Sequence, residues 1–468
     1  MTLPSSEVSA AGDALLAALD ATVAAARGST LYRERLADVR IRSLDDLRRL
    51  PFTTRADLQR AGLHGTRAAA LTEVCHYQES SGTTGAVNSA WLTAGDLLRS
   101  ARAIRAALPE VFAPGKIVLN RFPFMSAPAH LIQLMAQEGG GVVIPAGNIN
   151  WDVPFPRALE MTQRLGVQVL ASMPMEPAVL GELARAQGID PARDLSVETL
   201  FLGGSPLPPA LQRTLGRMWG ARIVELYGST ETMLLGTSCV HGTLHLETEL
   251  AYCEVLDPTT HAPVGPGGEG TLVVTTLGLE GSPLVRLDTG DVVRLAAAPC
   301  PCGSPRPGGV VLGRAADVVE MGGRRLFPYE VIDVAAQAAE TLGSAVFFVV
   351  VLPSRLLIRI EARGGDAGAA QALARTALGS VPVEVELVPP GHLLSVDTLS
   401  RSPRVYKPVV MSDWRRAPRK ILTVMEGMIE WPRPPLVELR RAVAAMWANF
   451  RRRRQLEREL RVAGPGER

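Results

Sequence analysis

From residue 116 onward, short aliphatic runs recur at intervals long enough to hold a helix. They fall at residues 117–119, 142–144, 167–171, 200–202 and 223–226. Runs this short, with little polar alternation, suit strands covered on both faces. Helical patterning fills the gaps, most clearly at residues 155–165 and 178–186. Strands spaced by helices predict βαβ units and a largely parallel sheet. The pattern changes over residues 246–294 to β-rich alternation with turn signals such as Pro266-Gly267-Gly268, which predicts a small β subdomain at about residues 240–310.

The remainder divides by the same reasoning. Residues 10–26 and 44–50 read as helices, and the first hundred residues as helical throughout. A compact α+β unit starts near Arg314, with helices at 330–339 and 367–378 and strands at 344–352, 355–362 and 383–388. The expected class is α/β: a large N-terminal domain (1–313), a small α+β C-terminal domain (314–412) and a basic extension (413–468). In that extension a helix is expected over residues 436–462.

Composition narrows the function. At 468 residues and 47% hydrophobic the chain has ample core for two or three domains and is no disordered or coiled-coil chain. Its longest apolar run, residues 345–352, falls well short of the roughly 18 residues of a membrane span. Glu7 and Asp13 interrupt any basic-then-apolar leader, and five cysteines are too few for a disulfide scaffold. A soluble protein of the reducing cytoplasm is expected. Lysine occurs only at Lys116, Lys407 and Lys420, in a chain with 49 Lys and Arg together. A lysine that persists among so many arginines points to a need for its compact ammonium.

The sharpest local signal is Glu79-Ser80-Ser81-Gly82-Thr83-Thr84-Gly85. Two glycines admit an anion close to the backbone, and hydroxyls with successive amides supply donors for phosphate oxygens. The Gly-Lys-Ser/Thr ending of a Walker loop is absent, and a polar hairpin turn would look similar. Further segments follow in order: Gly203-Gly204-Ser205, Tyr227-Gly228-Ser229-Thr230-Glu231, Asp288-Thr289-Gly290-Asp291 and Leu312-Gly313-Arg314. Together they resemble the adenylate-forming superfamily of acyl-CoA synthetases, adenylation domains and luciferases. Residues 50–55 (Leu-Pro-Phe-Thr-Thr-Arg) and Gly322-Gly323-Arg324-Arg325-Leu326-Phe327-Pro328 resemble its phenylacetate–CoA ligase branch. The resemblance covers about residues 45–410.

That resemblance implies ATP and Mg²⁺. Ser80 to Gly85 would hold the β- and γ-phosphates, Gly203, Gly204 and Ser205 would border adenine, and Tyr227 would stack on its other face. Within Tyr227–Glu231, which includes Gly228 and Ser229, Thr230 would donate to the α-phosphate and Glu231 would bind Mg²⁺. Asp291 would receive the ribose hydroxyls as an exposed carboxylate, and Arg314 would sit at an interdomain hinge. Lys407 would be the mobile catalytic lysine, bridging the attacking carboxylate and the α-phosphate. Tyr406 stands where relatives carry glycine, and Ala316 where they carry the hinge Asp or Lys.

Cys239, His245, Cys300 and Cys302 resemble a Cys₃His structural zinc site, with His241 as an alternative to His245. The acyl pocket implied by the resemblance is a mostly apolar slot including Phe124, His130, Met175 and Gly204, with Glu176 able to face an amine. The expected activity is acyl-adenylate formation from an aromatic or otherwise apolar carboxylic acid, then transfer to CoA. The acceptor could instead be an amine or a carrier-protein thiol, and a non-catalytic zinc-stabilised scaffold is the rival from another class. The Arg-rich tail reads as packing or self-association into a homodimer ahead of nucleic-acid or lipid contact.

Overall fold

A computed structural model of the chain describes residues 5–80, 87–147, 153–396, 409–415 and 422–425, and the helical positions 447, 451 and 454. Residues 1–428 form one compact unit and residues 429–468 another. Of the helix expected over 436–462, Trp447, Arg451 and Arg454 are described and helical, and the rest lies outside the described residues.

Eleven strands make the main sheet among the described residues. Its parallel part comprises β3 (Ile117–Asn120), β4 (Val142–Pro145), β5 (Val169–Ser172), β6 (Thr199–Gly203) and β7 (Arg222–Ser229), paired side by side as β4-β3-β5-β6-β7. All four residues of β5 and all five of β6 are buried, as expected for strands with helices on both faces. The helix Phe155–Arg164 shows how that cover arises: Phe155, Ala158, Leu159 and Thr162, spaced three and four apart, face the core.

At β7 the sheet changes direction. β8 (Met233–Ser238) pairs antiparallel with β7, then β9 (Leu244–Leu246), β13 (Gly308–Arg314), β12 (Leu287–Leu295), β11 (Glu269–Thr276) and β10 (Ala251–Leu256) continue it. The β-rich stretch expected as a subdomain is therefore the antiparallel wing of the same sheet.

The first hundred residues depart from the helical expectation. Helices Ser5–Ala26, Leu44–Arg48 and Arg55–Ala61 form, but β1 (Val74–Glu79) and β2 (Ser89–Thr93) make an antiparallel hairpin around the glycine-rich loop. Tyr77, Trp91 and Thr93 favour strand, in runs too short to stand out in a helical context.

The C-terminal part adds the hairpin β14 (Val319–Met321) and β15 (Arg324–Leu326), then a four-stranded sheet. That sheet comprises β16 (Phe347–Val351), β17 (Leu356–Glu361), β18 (Val383–Val388) and β19 (Met411–Asp413), in the order β18-β17-β16-β19. Helix Pro328–Thr341 packs on helix Pro209–Trp219 of the main sheet. Glu340 there binds Arg213 at 2.9 Å and Arg217 at 2.5 Å, and Asp333 receives the Ala210 amide at 3.0 Å.

Candidate functional site

The parallel strands run their carboxyl ends to the turn that leaves β7 at Ser229, the side of such sheets on which ligands usually sit. A side chain at Gly203 would put its Cβ 2.8 Å from the Leu226 carbonyl, so the close approach this glycine permits is to β7. One at Gly228 would lie 2.0 Å from the Met233 carbonyl, so the turn out of β7 closes only on glycine. Ser229 and Thr232 brace that turn through reciprocal backbone-to-hydroxyl bonds of 3.2 Å.

The turn is anchored to the hairpin. Gln78 on β1 donates its amide to the Thr230 carbonyl at 2.7 Å, and Asn88 at the start of β2 donates to Glu231 Oε1. Thr230 and Glu231 are thus fixed to the end of β1 and the start of β2. On the antiparallel wing the Tyr227 hydroxyl donates to Asp291 Oδ2 at 2.7 Å. Asp291 and Arg314 are cross-strand partners on β12 and β13, with Arg314 Nε 3.8 Å from Asp291 Oδ1. Asp291 is less exposed than its sequence suggests, its side chain keeping 17% of its surface. Burial raises its pKa above the usual carboxylate value, while Tyr227 and Arg314 pull it down. Burial, then the charge of Asp291, push the Tyr227 phenol well above its ordinary value. Arg314 is half exposed and leads into the short 3₁₀ turn Ala315–Asp317.

The His76 and His130 rings meet edge to face at 4.1 Å, and His130 Nε2 lies 2.8 Å from the Phe124 carbonyl. Phe124 is 44% exposed, whereas Met175 is buried among core residues and fills no open slot. Met173 lies nearest to Gly204, 3.7 Å from where a Cβ would stand. Glu176 faces no amine. It is fully buried with Arg121, whose Nε lies 2.7 Å away, and Arg121 also covers the Phe155 ring.

On the antiparallel wing Cys239, His245, Cys300 and Cys302 converge, their ligand atoms all within 4.8 Å of one another. Cys239 Sγ and Cys300 Sγ are 3.6 Å apart, and Cys302 Sγ is 3.3 Å from His245 Nε2. Tetrahedral zinc with Zn–S of about 2.3 Å would set its sulfurs about 3.8 Å apart, so the donors already stand near a zinc shell. His245 Nδ1 lies 3.1 Å from the Arg306 carbonyl, which can only accept, so Nδ1 carries the proton and the Nε2 lone pair faces the thiols. The His241 and Ser304 amides donate to Cys239 and Cys302 sulfurs at 3.4 Å each. His241 therefore serves the cluster through its backbone, and His245 is the imidazole donor.

The family of AMP-binding enzymes matches residues 16–279, more than half of the chain. The chain belongs to that family. Phenylacetate–coenzyme A ligase of Thermus thermophilus is 31% identical over 297 residues, covering 62% of this chain and 66% of that protein. The Pseudomonas putida ligase of the same name is 28% identical over 319 residues, covering 64% and 70%. The match thus spans just under two thirds of the Thermus protein. A solved 2-hydroxyisobutyryl-CoA ligase, in the postadenylation state, shares the fold with a TM-score of 0.76 at 22% identity, over 88% of this chain and 90% of that one. This AMP-binding enzyme lies in the phenylacetate–CoA ligase-like branch of the adenylate-forming superfamily.

Of the expected residues of this AMP-binding enzyme, Ser80, Gly203, Gly204, Ser205, Tyr227, Gly228, Ser229, Thr230, Glu231, Asp291 and Arg314 are described. Ser81, Gly82, Thr83, Thr84, Gly85 and Lys407 lie outside the described residues. Gln78 and Asn88 were missed by sequence reasoning. Their signal is polar residues directly flanking a glycine-rich loop. No described helix is long and apolar enough to cross a membrane.

Proposed function

We propose that this AMP-binding enzyme is an ATP-dependent, AMP-forming acid–CoA ligase. A carboxylate oxygen of the acid attacks the α-phosphorus of ATP, forming an acyl-adenylate as the bond to pyrophosphate breaks. The CoA sulfur then attacks the acyl carbon, its proton passes to solvent, and AMP leaves. The observation that carries this reading is the fixing of Thr230 and Glu231 by Gln78 and Asn88, with Asp291 held by Tyr227.

Thr230 would hold the α-phosphate, Asp291 the ribose hydroxyls, and Lys407 the charge that builds as the carboxylate attacks. Glu231 fits Mg²⁺, since a carboxylate offers about four acceptor sites and Asn88 occupies one oxygen. Bound there, Mg²⁺ would neutralise the phosphate charge. The Cys239–His245–Cys300–Cys302 cluster fits structural zinc, with four donors and no open position. The reading includes an apolar or aromatic acid, CoA as acceptor, a homodimer and a cytoplasmic setting.

The test is pyrophosphate release over a panel of carboxylic acids, with and without CoA. An acid-dependent release, with acyl-CoA appearing only when CoA is added, is the expected result. Release that never depends on an acid would end the reading, and acyl transfer to an amine in preference to CoA would change the acceptor.

A further inference from the structure

We propose that the acid activated at this site carries a hydroxyl on an otherwise apolar body, and that His76 and Gln78 hold this hydroxyl. The proposal rests on the adenylate-forming reading above and names its substrate class. His76 and Gln78 are alternate residues of β1 and so project from the same side of the strand. Gln78 is fully buried and uses its amide on the Thr230 carbonyl. Its Oε1 is buried without a hydrogen bond, and so is His76 Nε2. Buried polar atoms are nearly always paired, and these two belong to side chains close enough to interact, so one small polar group set between them would pair both.

The His76 ring is neutral at ordinary pH. Burial first, and then the neighbouring His130, push it down to about 4, with Gln78 acting weakly the other way. His130 gives its Nε2 proton to the Phe124 carbonyl, so its ring is held against His76 by a bond of its own. A neutral imidazole nitrogen beside an amide oxygen suits a group that can both donate and accept, which a hydroxyl does.

Geometry also sets where the hydroxyl belongs. Gln78 touches the motif expected to hold the α-phosphate, where the acid's carboxylate reacts. His76 lies two residues farther along β1, which at about 3.3–3.4 Å per residue is roughly 7 Å. A hydroxyl set between the two side chains lies on the far side of Gln78 from the Thr230 motif, which suits an aryl acid with its hydroxyl at the far end of the ring.

The experiment measures kcat/KM for pyrophosphate release with matched acids: phenylacetate against 4-hydroxyphenylacetate, and benzoate against 4-hydroxybenzoate. The hydroxylated member of at least one pair should be preferred by about tenfold or more, because a site built to pair a hydroxyl rejects the acid lacking it. In His76→Phe that ratio should collapse towards one. Gln78→Leu provides the same reading should His76→Phe fail to fold. Release with the unsubstituted acids and no preference for a hydroxyl, or a ratio that survives both substitutions, overturns the proposal and leaves adenylation standing. No release with any of the acids overturns both.

Discussion

The cysteine corner and the turn at Thr230 are polar clusters on one sheet, but only the first is complete in itself. In the corner three of the four donors have a supporting bond from outside the cluster: the Arg306 carbonyl orients His245, and backbone amides face the Cys239 and Cys302 sulfurs. Around the turn Gln78 Oε1, Asn88 Oδ1 and His76 Nε2 are buried without partners. A structural site is finished by the fold and one ion. A site proposed to take an arriving ligand can leave acceptors open for it, the cost of their burial being recovered when the ligand binds.

The largest effect that would sharpen this contrast lies on the reaction side. Lys407→Ala should slow pyrophosphate release by roughly 10²–10³-fold with little change in ATP affinity, since its charge is needed mainly as the transition state forms. Pre-steady-state release and nucleotide binding, measured separately, check both halves. An unchanged release rate would remove Lys407 from the chemistry.

On the structural side the order of effects reverses. Elemental analysis should find about one zinc per chain, and Cys302→Ser should lose it. Its melting temperature should fall by roughly 5–10 °C, while the release rate at low temperature changes far less. A chelator should lower the melting of the parent protein towards that of the variant and leave the variant unmoved. Metal-free parent protein with unchanged melting would break the comparison.

The two regions also differ in how much their sequences disclosed. The Cys/His cluster was legible because its chemistry is rare and paired by short spacing, Cys239 with His245 and Cys300 with Cys302. Choosing between His241 and His245 needed the Arg306 carbonyl, which sequence cannot place. The parallel strands were legible from aliphatic runs, and in the C-terminal part the helix Ala367–Leu378 and the strand Val383–Val388 appear with the expected bounds. Long-range polar pairing was not legible. Arg121 with Glu176, and Arg286 with Glu254 at 3.1 Å, join residues far apart in the chain and carry no local pattern. The hairpin of β1 and β2 was hidden for the same reason, its strands being short and held by partners elsewhere.

A smaller effect tests the link between the sheet's two halves. Tyr227→Phe removes the donor from Asp291 and should raise the KM for ATP about tenfold, the worth of one hydrogen bond to a charged group. Tyr227 is one of the groups that lower the pKa of Asp291 against the rise caused by burial. Without it the carboxyl titrates higher, so the acid limb of the pH profile for kcat/KM should move to higher pH. A KM and an acid limb that both stay in place would separate Asp291 from ribose binding.

The smallest effect concerns Glu225, on β7 between the two regions. Burial alone pushes its carboxyl up to about 8. Its folded pKa is therefore above the unfolded value, and the folded state holds the proton more tightly. The stability this contributes is full below about pH 4.5 and is lost as the pH rises through about 8. Glu225→Gln keeps the shape and removes the titration. The variant and the parent should melt alike at pH 5, and the variant should be the more stable at pH 9. Glu225 keeps some contact with solvent, so the gain should be only about 1 kcal/mol. Melting curves at the two pH values check this directly. A difference between the two proteins that does not change with pH would mean that Glu225 titrates like an ordinary surface carboxylate, and that β7 carries no buried acid between the metal corner and the turn at Thr230.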